Sequence, residues 1–184
     1  MKQVIKYVDD MLEQVNKSII EIEKIQTFER AEKANAPTFK PNEKLGEGKA
    51  SARNLEYRQS LLTLLKDSVY TPVQTMLKKK MEVDARIKII DDSVDNYITQ
   101  GKKLIETNLT KSYQTGVGQA NKHLQGAAMK QGVKFDVIKA DDKKLKQIIA
   151  IQQRNIEDKG LVLRGRLRSA VDTDSWMQNY GSKT

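Results

Sequence analysis

The side chains whose type and spacing could carry chemistry fall into a few groups. Asp91, Asp92 and Asp95 bring three carboxylates near one face of a helical stretch, a set of oxygens that could hold a divalent cation. The trio lacks the converging ligands of a calcium loop, and an ordinary solvated face accounts for it as well. Gly116-Val117-Gly118 matches a fragment of a phosphate-cradling loop, but no Gly-Lys-Ser/Thr follows it. His123 is the only histidine and there is no cysteine. A His-rich metal site, a thiolate site, a Cys nucleophile and a disulfide framework are therefore excluded, and a His-dependent triad is disfavoured. Asp141 and Asp142 read as helix-start residues. No acid, base, nucleophile or metal set assembles from these parts, so the chain reads as non-enzymatic and without a cofactor.

Three basic groups remain as binding candidates. Lys78, Lys79 and Lys80 are expected mid-helix, where their side chains fan around most of a turn. Lys143, Lys144 and Lys146 occupy the first turn of the last predicted helix, where cations oppose the helix dipole. Arg164, Arg166 and Arg168 alternate, so on a helix Arg164 and Arg168 share a face and Arg166 points elsewhere. Guanidinium forks suit phosphate or carboxylate. The polyanion-binding set is thus Lys143, Lys144, Lys146, Arg164, Arg166 and Arg168. Few aromatics lie among them, so any DNA contact is expected to the backbone, without sequence specificity. The net charge is +9. Residues 101–140 hold seven basic and two acidic side chains, and residues 141–184 hold nine and six. Such an excess attracts polyanions over roughly a Debye length, about 8 Å at physiological salt.

The elements that must position these groups are helical. Only 5% of the chain is aromatic and 38% is hydrophobic, against 31% charged. That composition suits an all-α, elongated long-helix bundle with coiled-coil-like heptad seams better than a thick core. Residues 1–36 form an N-terminal heptad helix: Ile5, Val8, Leu12, Val15, Ile19 and Ile22 follow a 3-4 spacing. Residues 37–50, with Pro37, Pro41, Gly46 and Gly48, read as a hinge loop. Over 51–131 apolar residues recur every seven positions: Leu55, Leu62, Val69, Met76, Val83, Ile90, Tyr97 and Leu104. This helix-pairing seam implies one long helix or two collinear ones, kinked or split at Thr71-Pro72. The small residues Gly116, Gly118, Ala120, Gly126, Ala127 and Ala128 are expected to admit a close neighbouring backbone, and Gly132 to end the helix. A C-terminal basic helix follows over 137–171, divided in two if Gly160 and Gly165 interrupt it. Residues 172–184 read as a frayed tail that Trp176 anchors. Asp9, Asp10 and Glu13 fall where a secretory signal needs an unbroken apolar run, and no apolar window is long enough to span a membrane.

From Ile105 through Leu124, IETNLTKSYQTGVGQANKHL, the chain resembles the helix preceding the conserved domain of tailed-virus head morphogenesis (minor capsid) proteins. The Phe135-Asp136 connector, Asp141-Asp-Lys-Lys-Leu and the Asn155-containing helix into Leu161-Val-Leu-Arg-Gly-Arg-Leu extend the similarity over about residues 100–171. The resemblance implies a structural component of a virion assembled in the host cytoplasm, with portal or capsid proteins as partners and packaged DNA nearby. It also implies a homo- or hetero-oligomer. The residues themselves leave open a helical bundle that binds nucleic acid nonspecifically and a coiled-coil adaptor or connector.

Overall fold

A computed structural model describes the backbone of residues 2–35 and 45–180, and the side chains of residues 3–27 and 54–173. Five α-helices follow in order: α1 (Lys2–Asn35), α2 (Leu45–Leu65), α3 (Thr71–Leu77), α4 (Val83–Gln131) and α5 (Asp142–Tyr180). A π-helical turn, Lys66–Tyr70, joins α2 to α3 without a break. No strand occurs among the described residues, and the fold is all-α. At 49 residues, α4 alone spans roughly 70–75 Å.

The N-terminal stripe is buried as its spacing requires. Val8, Leu12, Val15 and Ile22 are in the core, and Ile5 and Ile19 pack partly against it. The hinge loop is shorter than the glycines suggest, because α2 already begins at Leu45 and takes Gly46 and Gly48 into its first turn. Residues 36–44 lie outside the described residues.

The seven-residue seam is not carried on one helix or two collinear ones. Its members are buried or half-buried, yet the chain reverses at Lys78–Glu82, so they divide between two antiparallel helices. Val69 and Met76 face Ile90 and Val94 across one core. Asn96 reaches Ser68 from the opposite helix. Thr71-Pro72 does not split the helix. The Thr71 N–H donates to the Lys66 carbonyl five residues back, and this wider turn accommodates the ring and missing donor of Pro72. The break comes where charge changes sign. Lys78, Lys79 and Lys80 follow the C-terminus of α3, and Glu82 and Asp84 begin α4, each in the place the helix dipole favours. The lysine triplet therefore lies in a turn. Buried Arg86 holds that turn, donating to the Lys79 carbonyl at 3.3 Å.

Contacts at Gln59–Glu23 and Gln74–Asp9 run α1 antiparallel to the α2–α3 rod. The pairs Lys102–Glu157 and Arg168–Asp91 do the same for α4 and α5. With α2–α3 taken as one rod, the chain forms an up-down-up-down four-helix bundle. Val4 and Val8 meet Val73, Met76, Ile90, Val94, Leu167 and Val171 in its core.

Two glycines set the spacing of α4 and α5. A Cβ at Gly101 would lie 2.2 Å from Cδ1 of Ile156, and one at Gly160 would lie 2.5 Å from Cγ1 of Ile98. Each glycine thus seats an isoleucine of the other helix. Gly160 and Gly165 do not interrupt α5, which runs on to Tyr180 and takes residues 172–180 of the expected tail with it. The Trp176 side chain and residues 181–184 lie outside the described residues. The small residues expected to admit a backbone are not at this interface: a Cβ added at Gly116, Gly118 or Gly126 would meet nothing within 4 Å. Gly132 ends α4 as expected, at φ 67°. Its N–H and that of Val133 bond back to Met129 and Ala128 in a Schellman pattern.

Two measurements check this packing. Gly160→Ala is expected to lower unfolding stability by about 1–2 kcal/mol because Ile98 must yield, whereas Gly165→Ala raises it by up to roughly 1 kcal/mol through helix propensity; urea titration of both variants distinguishes them. The second concerns Tyr70, whose phenol is pushed up to about 12 by burial first and then by neighbouring Tyr7 and Tyr97, with Arg166 opposing. The folded chain keeps this proton after the unfolded chain has lost it. Its contribution is complete below about pH 10 and is lost as pH rises toward about 12. Tyr70→Phe should flatten the fall in urea midpoint across that window.

Candidate interaction surfaces

The α4–α5 interface carries a row of charged contacts beside its apolar seam. Arg168 grips Asp91 with two bonds: Nε donates to Oδ1 at 2.8 Å and Nη2 donates to Oδ2. Arg164 bonds Asp95 through Nη2, and its Nε lies 3.7 Å from Asp91 Oδ1. Further back along α5, Lys102 pairs with Glu157 at 2.7 Å and holds that carboxyl below its usual range. Gln153 donates to the Lys102 carbonyl at 3.2 Å. The reason is helical spacing: Arg164 and Arg168 lie four apart on α5, as do Asp91 and Asp95 on α4, so antiparallel packing brings the four together.

This arrangement changes the reading of two sequence candidates. Asp92 and Asp95 stay exposed as a solvated face would, while Asp91 and Asp95 are also paired with guanidinium groups and so are not arranged as a cation cradle. Arg164 and Arg168 spend their forks on carboxylates of the same chain, while Arg166 points away and is exposed. Of the polyanion set, Lys143, Lys144, Lys146 and Arg166 present their charge to solvent. Among the described residues no group of three or more His, Cys, Asp or Glu side chains is placed to hold a metal ion. No helix among them is long and apolar enough to cross a membrane.

The three lysines sit at the start of α5, where Asp141 is the cap. Its Oδ1 accepts from the Lys144 N–H at 3.0 Å, its carbonyl accepts the first helical bond from Leu145, and its own N–H donates to the Tyr113 hydroxyl at 2.9 Å. With Asp142 in the first turn, these carboxylates offset the unfavourable meeting of lysine and helix dipole.

Beyond Ile105 no residue of α4 is buried. The remaining stretch to Gln131 is an arm about 40 Å long, backed by the extended segment 133–141 and the start of α5. Asn121 acts toward this segment as a strand would, donating to the Ile138 carbonyl at 2.8 Å and accepting its N–H at 2.7 Å. The arm and its return, residues 109–147, hold eight basic and three acidic side chains. They also leave Leu124, Met129, Val133 and Val137 in solvent, Met129 at 74% exposure. Sequence periodicity did not isolate these four, because they follow no regular repeat across the turn at Gly132.

A groove of about 750 Å³ separates the α2 side of the bundle from α4, lined by Gln59, Thr63, Asp67, Gln100, Lys103 and Thr107 among others. It is open to solvent and of mixed character, with Leu64 and Leu104 among its walls. No protein family, curated protein or solved structure matches the chain.

If the chain takes up duplex DNA at low salt, replacing Lys143, Lys144 and Lys146 with Gln together is expected to weaken that binding and reduce its log–log salt slope by up to about 3. Arg164→Gln with Arg168→Gln should instead lower the thermal midpoint, most at low salt, and leave DNA binding unchanged. Fluorescence anisotropy and thermal melts on the same preparations separate the two roles.

Proposed function

We propose that the protein is a non-enzymatic structural or assembly component, of the kind its resemblance to tailed-virus head morphogenesis proteins implies. In that setting it joins a virion assembled in the host cytoplasm, against portal or inner capsid subunits and close to packaged DNA. One observation carries the reading: a basic arm projecting from a closed bundle, with bulky apolar side chains near its tip that no other described residue covers. Bulky apolar groups left in solvent along one short stretch of chain suit a contact surface. A helical bundle with a single projecting element suits anchoring in an assembly, with the bundle as base and the arm as the inserted part.

The charge of the arm favours a second reading, a helical protein that binds nucleic acid through its backbone and without sequence preference. Light scattering separates the two. The assembly reading expects a molar mass well above the 20.9 kDa of one chain, unchanged by duplex DNA at low or high salt, that falls to the monomer in Met129→Asp with Val137→Asp. A monomer or dimer that takes up DNA at low salt and releases it at high salt would replace it with the second.

A further inference from the structure

The inner face of α5 closes the bundle through Leu145, Ile156, Leu167 and Val171. A solvent-facing side of the same helix carries further apolar residues. Ile148, Ile151 and Val162 stand in solvent at 44%, 59% and 56% exposure. They fall on a heptad frame: Ile148, Asn155 and Val162 are seven apart, and Ile151 takes the intervening seam position. A helix packed on one side only needs one apolar stripe, so the second stripe calls for a second helix.

We propose that this outer face of α5 docks an acidic amphipathic helix from a partner protein. The edges of the stripe decide the sign of the partner. Lys159 and Arg166 line one edge and Arg154 the other, and none of them forms an ion pair among the described residues. Arg154 adds to the field on Glu157, but that carboxylate is already bonded to Lys102. A second copy of this chain laid on the stripe would bring the same cations face to face, in either orientation. An anionic membrane fits no better. Asp158 lies within the stripe, and it would have to leave water and approach headgroups of its own sign. DNA would pair with the cations but leave Ile148, Ile151 and Val162 wet. A helix with Glu at its flanking positions satisfies both edges at once. A polar side chain opposite Asn155 and a base opposite Asp158 would set its register, as single polar seam residues do in coiled coils.

The inference rests on the assembly reading and names the partner for one of its surfaces. The probe is a synthetic helical peptide with Leu at its seam positions, one Asn, one Lys to meet Asp158, and Glu at the flanks. Its twin carries Lys at the flanks instead. Titrated against the full chain by fluorescence anisotropy, the acidic peptide should bind saturably, roughly ten-fold or more tighter than the twin, and more weakly as salt rises. Ile151→Asp with Val162→Asp should abolish binding with far-UV circular dichroism unchanged, since both side chains are exposed. Arg154→Glu, Lys159→Glu and Arg166→Glu together should reverse the preference toward the Lys twin. The proposal is overturned if neither peptide binds, if both bind equally, or if binding survives Ile151→Asp with Val162→Asp. It is also overturned if the chain sediments with phosphatidylglycerol vesicles and that double variant abolishes the sedimentation. The arm variant Met129→Asp with Val137→Asp keeps α5 intact, so peptide binding by that variant reports on α5 even where the assembly reading fails.

Discussion

The reciprocal seating of Ile156 at Gly101 and Ile98 at Gly160 is the constraint from which the rest of the molecule follows. Because neither glycine has a Cβ, the two longest helices approach closely enough for each isoleucine to be enclosed by the opposing backbone. Dispersion gains of that kind are small per atom pair and fall off steeply once a gap opens. The register is therefore sharply set: moving α5 by one residue would drive both side chains into occupied space. With that register, Arg164 and Arg168 arrive opposite Asp95 and Asp91, and Lys102 opposite Glu157. These partly exposed pairs contribute little stability individually. Their effect is on specificity, since a slipped or parallel pairing would separate them.

The same packing sorts surface from core. Once α5 spends one face on α4 and α1, none of the described residues is left to cover its second apolar stripe. Once α1 and the α2–α3 rod are used up along the first part of α4, the arm beyond Ile105 has, among the described residues, the segment 133–141 and the start of α5 beside it. That segment can supply hydrogen bonds through Ile138 and Asp141, but it cannot enclose Leu124 or Met129. Uncovered apolar surface thus arises from a mismatch of lengths between the two halves of the bundle.

Much of the fold was legible in the sequence. The 3-4 spacing of the N-terminal stripe, the cap at Asp141 and the stop at Gly132 are local features, each determined within one or two turns, and all three stand where their chemistry puts them. The period of seven from Leu55 to Leu104 also marks buried positions. It does not say how many helices carry them, because an antiparallel hairpin and a straight rod can satisfy the same spacing. The readable sign of the reversal was the switch from Lys78-Lys79-Lys80 to Glu82 and Asp84, where charge matches the end of one helix dipole and the start of the next. Pro72, the louder signal, was absorbed by a π-helical turn.

By itself the sequence determined the helical class, the identity of most inward-facing residues, the cap and stop positions and the uneven distribution of charge, since these depend on side-chain type and short-range spacing. Only the tertiary structure decided which glycines are contacts and which are exposed, because Gly101 and Gly116 look alike until the facing helix is known. It also decided the fate of the charged candidates. Whether Arg164 offers its fork to a phosphate or gives it to Asp95 depends on a residue 69 positions away in the chain, and no local pattern encodes that pairing.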